Sequence, residues 1–113
     1  MLKEIQIGEH EVAMLSTAAT PVIYRGVFHE DLLVFLQNMA KAKGMTEGTT
    51  EMVCKLGYVM AMQAEKKKMS DMNFDRFVEW LDGFESLDFE LSANEILNLY
   101  AESGKTLSRP KKA

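Results

Sequence analysis

The sequence predicts a mostly α protein: a small helical bundle of about four to five helices with an N-terminal β-hairpin over about residues 2–15. Three observations carry this. Polar and apolar residues alternate through Leu2-Lys3-Glu4-Ile5-Gln6-Ile7, the period of a half-buried strand. Beyond Pro21 the apolar residues change to helical spacing and keep it almost to the end of the chain. Between the two patterns stands Thr20-Pro21: the threonine hydroxyl can cap a helix, and proline suits the first helical position, where its missing N–H costs nothing.

The elements follow in order. Ile5 and Ile7 share one face of a strand, Val12 and Met14 the matching face of the next, and Gly8-Glu9 is the turn between them. A lone hairpin is marginal in water, so this one must lie on the helices or pair with another copy or a partner. Ile23 and Val27 are four apart, as are Tyr24 and Phe28; Leu32, Phe35, Leu36 and Met39 continue the helical pattern. Glu30 and Asp31 favour a fresh start after a bend near His29, which leaves one kinked helix and two separate ones both open. Gly44 to Gly48 is a connector. The next helix is expected from Thr49 or Thr50 to about Lys68; it is apolar almost all round, as a helix in the middle of a bundle is. Another is expected near Asn73, with Phe74, Phe77, Val78, Leu81 and Phe84 on one stripe and Trp80 beside it. A capping box, Ser92-Ala93-Asn94-Glu95, is expected to open the last helix. Ile96, Leu99 and Tyr100 would form its inner face, and Gly104 would end it. One domain over residues 1–104 results, with a flexible basic tail at 105–113.

Composition bounds the function classes. A chain of 113 residues that is 47% hydrophobic can bury one core and is too short for two ordinary domains. The N-terminus has no basic-then-apolar leader, and no apolar run approaches a membrane span, so a soluble cytoplasmic protein is expected. Cys54, the single cysteine, allows no intrachain disulfide. Charge is uneven. Residues 1–70 balance eight acids against eight bases, residues 71–102 hold nine acids against Arg76 alone, and residues 105–113 hold four bases and no acid. A nucleic-acid module would carry a basic stripe on its folded part, so no nucleic-acid partner is expected. Lys66-Lys67-Lys68 falls where a helix should end, and cations there complement the helix dipole.

The sequence carries no constellation for catalysis. His10 and His29 have no second ligand at metal spacing, and Cys54 lies on the most apolar helix, where a thiol is normally inert. The acids at Asp82, Glu85, Asp88 and Glu90 do not follow a calcium-loop spacing. No enzyme, cofactor or metal is expected. Methionine is the exception, with nine residues. Met serves either as a filler of small cores or as the lining of adaptable binding surfaces, and both uses stay open here. In the second use Tyr24, Phe28, Met52, Met60, Met62, Met69 and Met72 would form a groove for partner helices. The apolar excess also predicts homo-oligomers when no partner is present.

Several segments, in this order, resemble the tail assembly chaperones of long-tailed bacteriophages and prophages of Gram-positive bacteria. They are the hairpin, then Ala18-Ala19-Thr20-Pro21-Val22-Ile23-Tyr24-Arg25 leading to Phe28 and Asp31-Leu32-Leu33. Phe77-Val78-Glu79-Trp80-Leu81-Asp82-Gly83-Phe84-Glu85 and Glu95-Ile96-Leu97-Asn98-Leu99-Tyr100 follow, and the tail Lys105-Thr106-Leu107-Ser108 with Pro110-Lys111-Lys112 closes the match. The middle, residues 41–72, matches in helical character only. The resemblance implies a non-enzymatic protein of the host cell cytoplasm. It would bind the tape-measure protein, keep it soluble until tail-tube protein polymerises around it, and leave before the virion matures. It also implies a longer frameshifted product, and Lys111-Lys112 codons can supply the adenine run on which ribosomes slip. The alternative from the residues alone is a small cytoplasmic adaptor or regulator of a host protein. A tail-tube gene upstream and a very long tape-measure gene downstream would favour the chaperone.

Overall fold

The computed structural model describes residues 1–32, 34 and 47–108, with side chains described over 1–32, 34 and 50–102. Among the described residues two strands, β1 (Leu2–Ile7) and β2 (His10–Leu15), precede the helices α1 (Thr20–Phe28), α2 (Glu47–Ala64), α3 (Phe74–Leu81) and α4 (Ser86–Ser108). A single 3₁₀ turn, Met69–Asp71, lies between α2 and α3.

The hairpin forms as the alternation requires. Ile5 pairs with Val12 and Ile7 with His10 in an antiparallel register. Ile5, Ile7 and Met14 are buried, and Val12 packs against them. Gly8 opens the turn with φ +62°, a conformation that suits glycine, and a Cβ there would lie 2.3 Å from Asp88 Oδ2 on α4. The hairpin tip can therefore sit directly on the first turns of α4. β2 packs against α2 and β1 against α4. The hairpin is thus supported by helices, one of the two supports the sequence left open.

α2 occupies the centre and touches α1, α3, α4 and β2. Every residue from 52 to 61 is buried, which explains why this helix is apolar on all sides. It ends at Ala64, short of the expected Lys68, because Lys66 turns left-handed with φ 63°. The Lys67 N–H then donates to the Met62 carbonyl at 3.0 Å, and the Lys66 N–H to that of Gln63 at 3.0 Å. This is a Schellman stop with lysine where glycine is usual. The lysine run therefore sits at a helix C-terminus, with the cations exposed.

α1 begins differently from expectation. Ala19 is its N-cap and makes no side-chain cap bond, while Thr20 is already helical and buried. The Thr20 hydroxyl accepts from the Thr17 N–H at 3.0 Å and donates to Gln63 Oε1 at 2.6 Å. Gln63 Nε2 in turn donates to Thr17 Oγ1 at 3.1 Å. Thr17, Thr20 and Gln63 thus tie the start of α1 to the end of α2, and this long-range use of the hydroxyl replaces the cap. α1 stops at Phe28, where His29 is left-handed with φ 60°. A true helix end, and not a gentle kink, therefore lies at the expected bend. The helical pattern expected from Phe35 to Met39 falls outside the described residues.

α3 is capped as expected, with Asn73 accepting from the Arg76 N–H at 2.9 Å. Phe77 alone is buried on it; Phe74 and Val78 are exposed, so the expected five-residue stripe is narrower. α4 corrects two expectations. Its helix starts at Ser86, so Ser92 lies mid-helix and caps nothing. Ser92 Oγ lies 2.7 Å from the Gln6 carbonyl oxygen on β1 and 3.0 Å from that of Asp88 one turn back. The hydroxyl joins α4 to the hairpin, and tertiary contact overrides the local capping pattern. Ile96 and Leu99 do face inward, behind Phe89 and Ala93. The helix also passes through Gly104 to Ser108, because one glycine costs a helix only about 1 kcal/mol. Residues 109–113 lie outside the described residues.

Candidate partner-binding surface

The seven residues expected to form a groove are placed unequally. Tyr24, Met52, Met60 and Met72 are buried in the core. Phe28 and Met62 are partly buried against that core, and Met69 is 48% exposed. Met52, Met60 and Met72 therefore fill the bundle interior and offer no surface in this fold. For Met52 and Met60 the physical reason is the position of α2, whose stretch 52–61 is buried on all sides; Met72 is buried between the 3₁₀ turn and α3.

The rings of this set belong to a longer chain of edge contacts. Phe28 lies 5.4 Å from Tyr24 and 5.2 Å from Phe77, and Tyr58 lies 5.6 Å from both Phe77 and Trp80. Trp80 then meets Phe84 at 5.0 Å, which meets Phe89 at 5.6 Å and His10 at 5.3 Å. These tilted and edge-to-face contacts link α1, α2, α3, β2 and α4 into one body.

One charge enters the body. Lys55 on α2 is 5% exposed, and its Nζ lies 3.0 Å from Glu30 Oε2, 2.9 Å from Glu51 Oε2 and 5.2 Å from the centre of the Phe28 ring. Burial works against the ammonium, but the hydrogen bonds to Glu51 and Glu30 outweigh it and hold its pKa above the ordinary lysine value. The Tyr24 hydroxyl donates to Glu30 Oε1 at 3.1 Å. Burial, then the Glu30 carboxylate, pushes the Tyr24 phenol well above its ordinary value. Burial, then Glu51 and Glu90, pushes the Cys54 thiol up to about 11.

The sign of the pH effect follows. Tyr24 and Cys54, like Lys55, hold their protons more tightly when folded, so their contribution is complete below the unfolded values. It falls as pH rises from about 9 toward 11, while the unfolded chain ionises first. The urea midpoint should drop between pH 8 and pH 10, and Cys54→Ala should flatten that drop. A midpoint independent of pH over this range would contradict it. Native Cys54 should also resist thiol reagents at pH 8 and react once the chain unfolds.

An open groove lies beside α1. It encloses about 600 Å³ between that helix and the 3₁₀ turn, with Pro21, Val22, Gly26 and Met69 as its apolar lining and Arg25 and Asp31 among its polar residues. Val22 is 67% exposed. Gly26 lets the turn come close, since a Cβ there would lie 2.6 Å from Met69 Sδ. Val22 is the residue that sequence reasoning missed. Its signal was present: it falls out of phase with the Ile23/Val27 and Tyr24/Phe28 pairs, so an apolar side chain stands on the outer face. Smaller exposed apolar pairs occur at Phe74 and Val78 on α3 and at Leu87 and Leu91 on α4.

Among the described residues, no group of three His, Cys, Asp or Glu side chains could hold a metal ion. No helix among them is long and apolar enough to cross a membrane. No family model, curated protein or solved structure matches this chain.

Proposed function

We propose that this chain is a phage tail assembly chaperone that binds a helical segment of the tape-measure protein and keeps it soluble while tail-tube protein polymerises. One observation carries the reading: an apolar groove lined by exposed Val22 and Met69 borders Ala18 to Arg25, one of the segments that resemble such chaperones. An amphipathic partner helix would place anchors at i, i+3 or i+4 and i+7 against these side chains. The groove replaces the methionines of α2 as the binding surface, and only Met69 of the methionine set takes part.

Co-expression with the tape-measure protein of the same phage genome tests this. The intact chain should co-purify with it, and Val22→Asp with Met69→Asp should reduce capture at least about ten-fold, since two apolar anchors are lost. Each position is exposed, so the double variant should remain folded by circular dichroism. Undiminished capture by the folded variant would remove the groove from the proposal. Failure of the intact chain to bind tape-measure protein at all would leave the adaptor alternative.

A further inference from the structure

We infer that the outer edge of β2 is a docking site for an extended, basic segment of a partner polypeptide, which adds to the hairpin as a third strand. The inference uses other residues than the α1 groove and does not depend on the chaperone assignment.

Met1 and Ser16 exchange both of their backbone bonds, at 2.6 and 2.9 Å. Bonded and non-bonded pairs alternate along an antiparallel ladder. The register then makes Lys3–Met14, Ile5–Val12 and Ile7–His10 the bonded pairs, and Leu2–Leu15, Glu4–Ala13 and Gln6–Glu11 the non-bonded ones. The N–H and C=O groups of Glu11, Ala13 and Leu15 therefore point away from β1. On the opposite edge the equivalent carbonyl of Gln6 receives Ser92 from α4. Among the described residues no hydrogen bond reaches the outward groups of Glu11, Ala13 and Leu15. Glu11 and Ala13 are exposed. An open edge of this kind is a template for another strand.

The ground beside the edge is shaped for such a strand. A cleft of about 380 Å³ borders β2, with Trp80 and Phe84 in its lining and Gly83 between them without a side chain. In an added strand, alternate side chains point to the helix side, where Val12 and Met14 already lie. One or two apolar side chains would there meet the two rings, which are 5.0 Å apart.

Charge selects the occupant. Glu11 and Glu65 are among the residues lining the cleft, and among the described residues the lining has no lysine or arginine. Next in sequence to the lining residues Trp80, Gly83 and Phe84 stand Glu79, Asp82 and Glu85, while Lys66 to Lys68 follow Glu65. A second copy pairing β2 with β2 would bring the same carboxylates from both chains together about one two-fold axis, and like charges at close range oppose this. A partner strand with lysine or arginine flanking its apolar residues meets the opposite sign. Backbone pairing would supply affinity, and the ring pocket and the carboxylates would supply selectivity.

The test uses the full chain and a short peptide of alternating lysine and valine, followed by amide signals in NMR. Saturable binding should slow hydrogen exchange at the Glu11, Ala13 and Leu15 N–H groups about ten-fold or more. The same peptide N-methylated on the residues that face β2 should bind at least about ten-fold more weakly, because it has lost two or more backbone bonds. Ala13→Pro should weaken the parent peptide by a similar factor. Its N–H points outward, so proline there spares the pairing with β1. Glu11→Lys with Glu65→Lys should weaken binding several-fold. Equal binding of the N-methylated peptide, absence of saturation at millimolar peptide, or shifts centred on the α1 groove would each overturn the inference. So would concentration-dependent protection of the same amides without peptide, which would make a second copy the occupant. The peptide comparison decides the matter even if Ala13→Pro fails to fold.

Discussion

Met60→Lys should unfold the protein, and Met62→Lys should leave it folded. The two residues lie two positions apart on α2 but in different surroundings. Met60 has no exposed surface. A lysine there would place an ammonium in the core without a designed partner, and such burial costs several kcal/mol even after relaxation. A domain of this size has a total stability of about 5–15 kcal/mol, so one substitution removes a large share of it. Met62 is only partly buried, and the surface hollow beside it contains Glu65, Arg76 and Glu79. A lysine at 62 can lay its aliphatic stem over the core and carry its charge out to water, at a cost of about 1 kcal/mol. Thermal melts followed by circular dichroism separate the two outcomes. A folded Met60→Lys protein that had lost partner binding would mean that α2 opens to form the binding surface.

This contrast also marks how far the sequence could be read. The hairpin was legible because Ile5, Ile7, Val12 and Met14 alternate and Gly8 can adopt the turn conformation. α2 was legible as a central helix because a run apolar on all sides has nowhere else to go. The start of α4 was not. Ser92-Ala93-Asn94-Glu95 satisfies the local capping rule, and only the Gln6 carbonyl, 86 residues away in sequence, explains why the serine lies inside a helix. The preceding Phe89 was the available clue, since it continues the inward phase of Ala93, Ile96 and Tyr100. The ends of α2 and α4 were misjudged for a related reason. Lys66 takes a left-handed conformation usually left to glycine, and Gly104 is passed through as an ordinary helical residue. The burial of the methionines was not legible. Methionine abundance suggested an apolar partner surface, yet packing assigns Met52, Met60 and Met72 to the core. The groove is carried instead by Val22, a single apolar residue out of phase, together with Met69.

Glu30→Ala should cost about 2 kcal/mol, and Lys55→Met should largely relieve that cost. Lys55 is the one charged residue buried among those described. It keeps its charge because Glu30, Glu51 and the Phe28 ring surround it. Glu51 is the weaker support: its side chain is 60% exposed, and an exposed i,i+4 pair contributes a few tenths of a kcal/mol. Glu30 is more sheltered and also accepts from the Tyr24 hydroxyl. Its removal strands both a buried ammonium and a buried phenol; taking away the one partner of a buried charge costs about 3–5 kcal/mol, and the surviving Glu51 keeps the effect below that range. Methionine at 55 fills a similar volume and needs no counter-ion, so the single Lys55→Met variant should lie within about 1 kcal/mol of the parent. A double-mutant cycle from urea midpoints measures the coupling, and strictly additive effects would mean that the pair contributes nothing. The network has a consequence beyond stability. Glu30 follows the left-handed His29 that ends α1, and Asp31 beside it borders the groove that also holds Val22. Anchoring Glu30 to Lys55 fixes the direction in which the chain leaves α1, and with it one side of the groove. Glu30→Ala should therefore weaken partner capture even at temperatures where the variant is fully folded, and Lys55→Met should weaken it as well while sparing stability. Capture unchanged in both variants would confine the network to holding the bundle together.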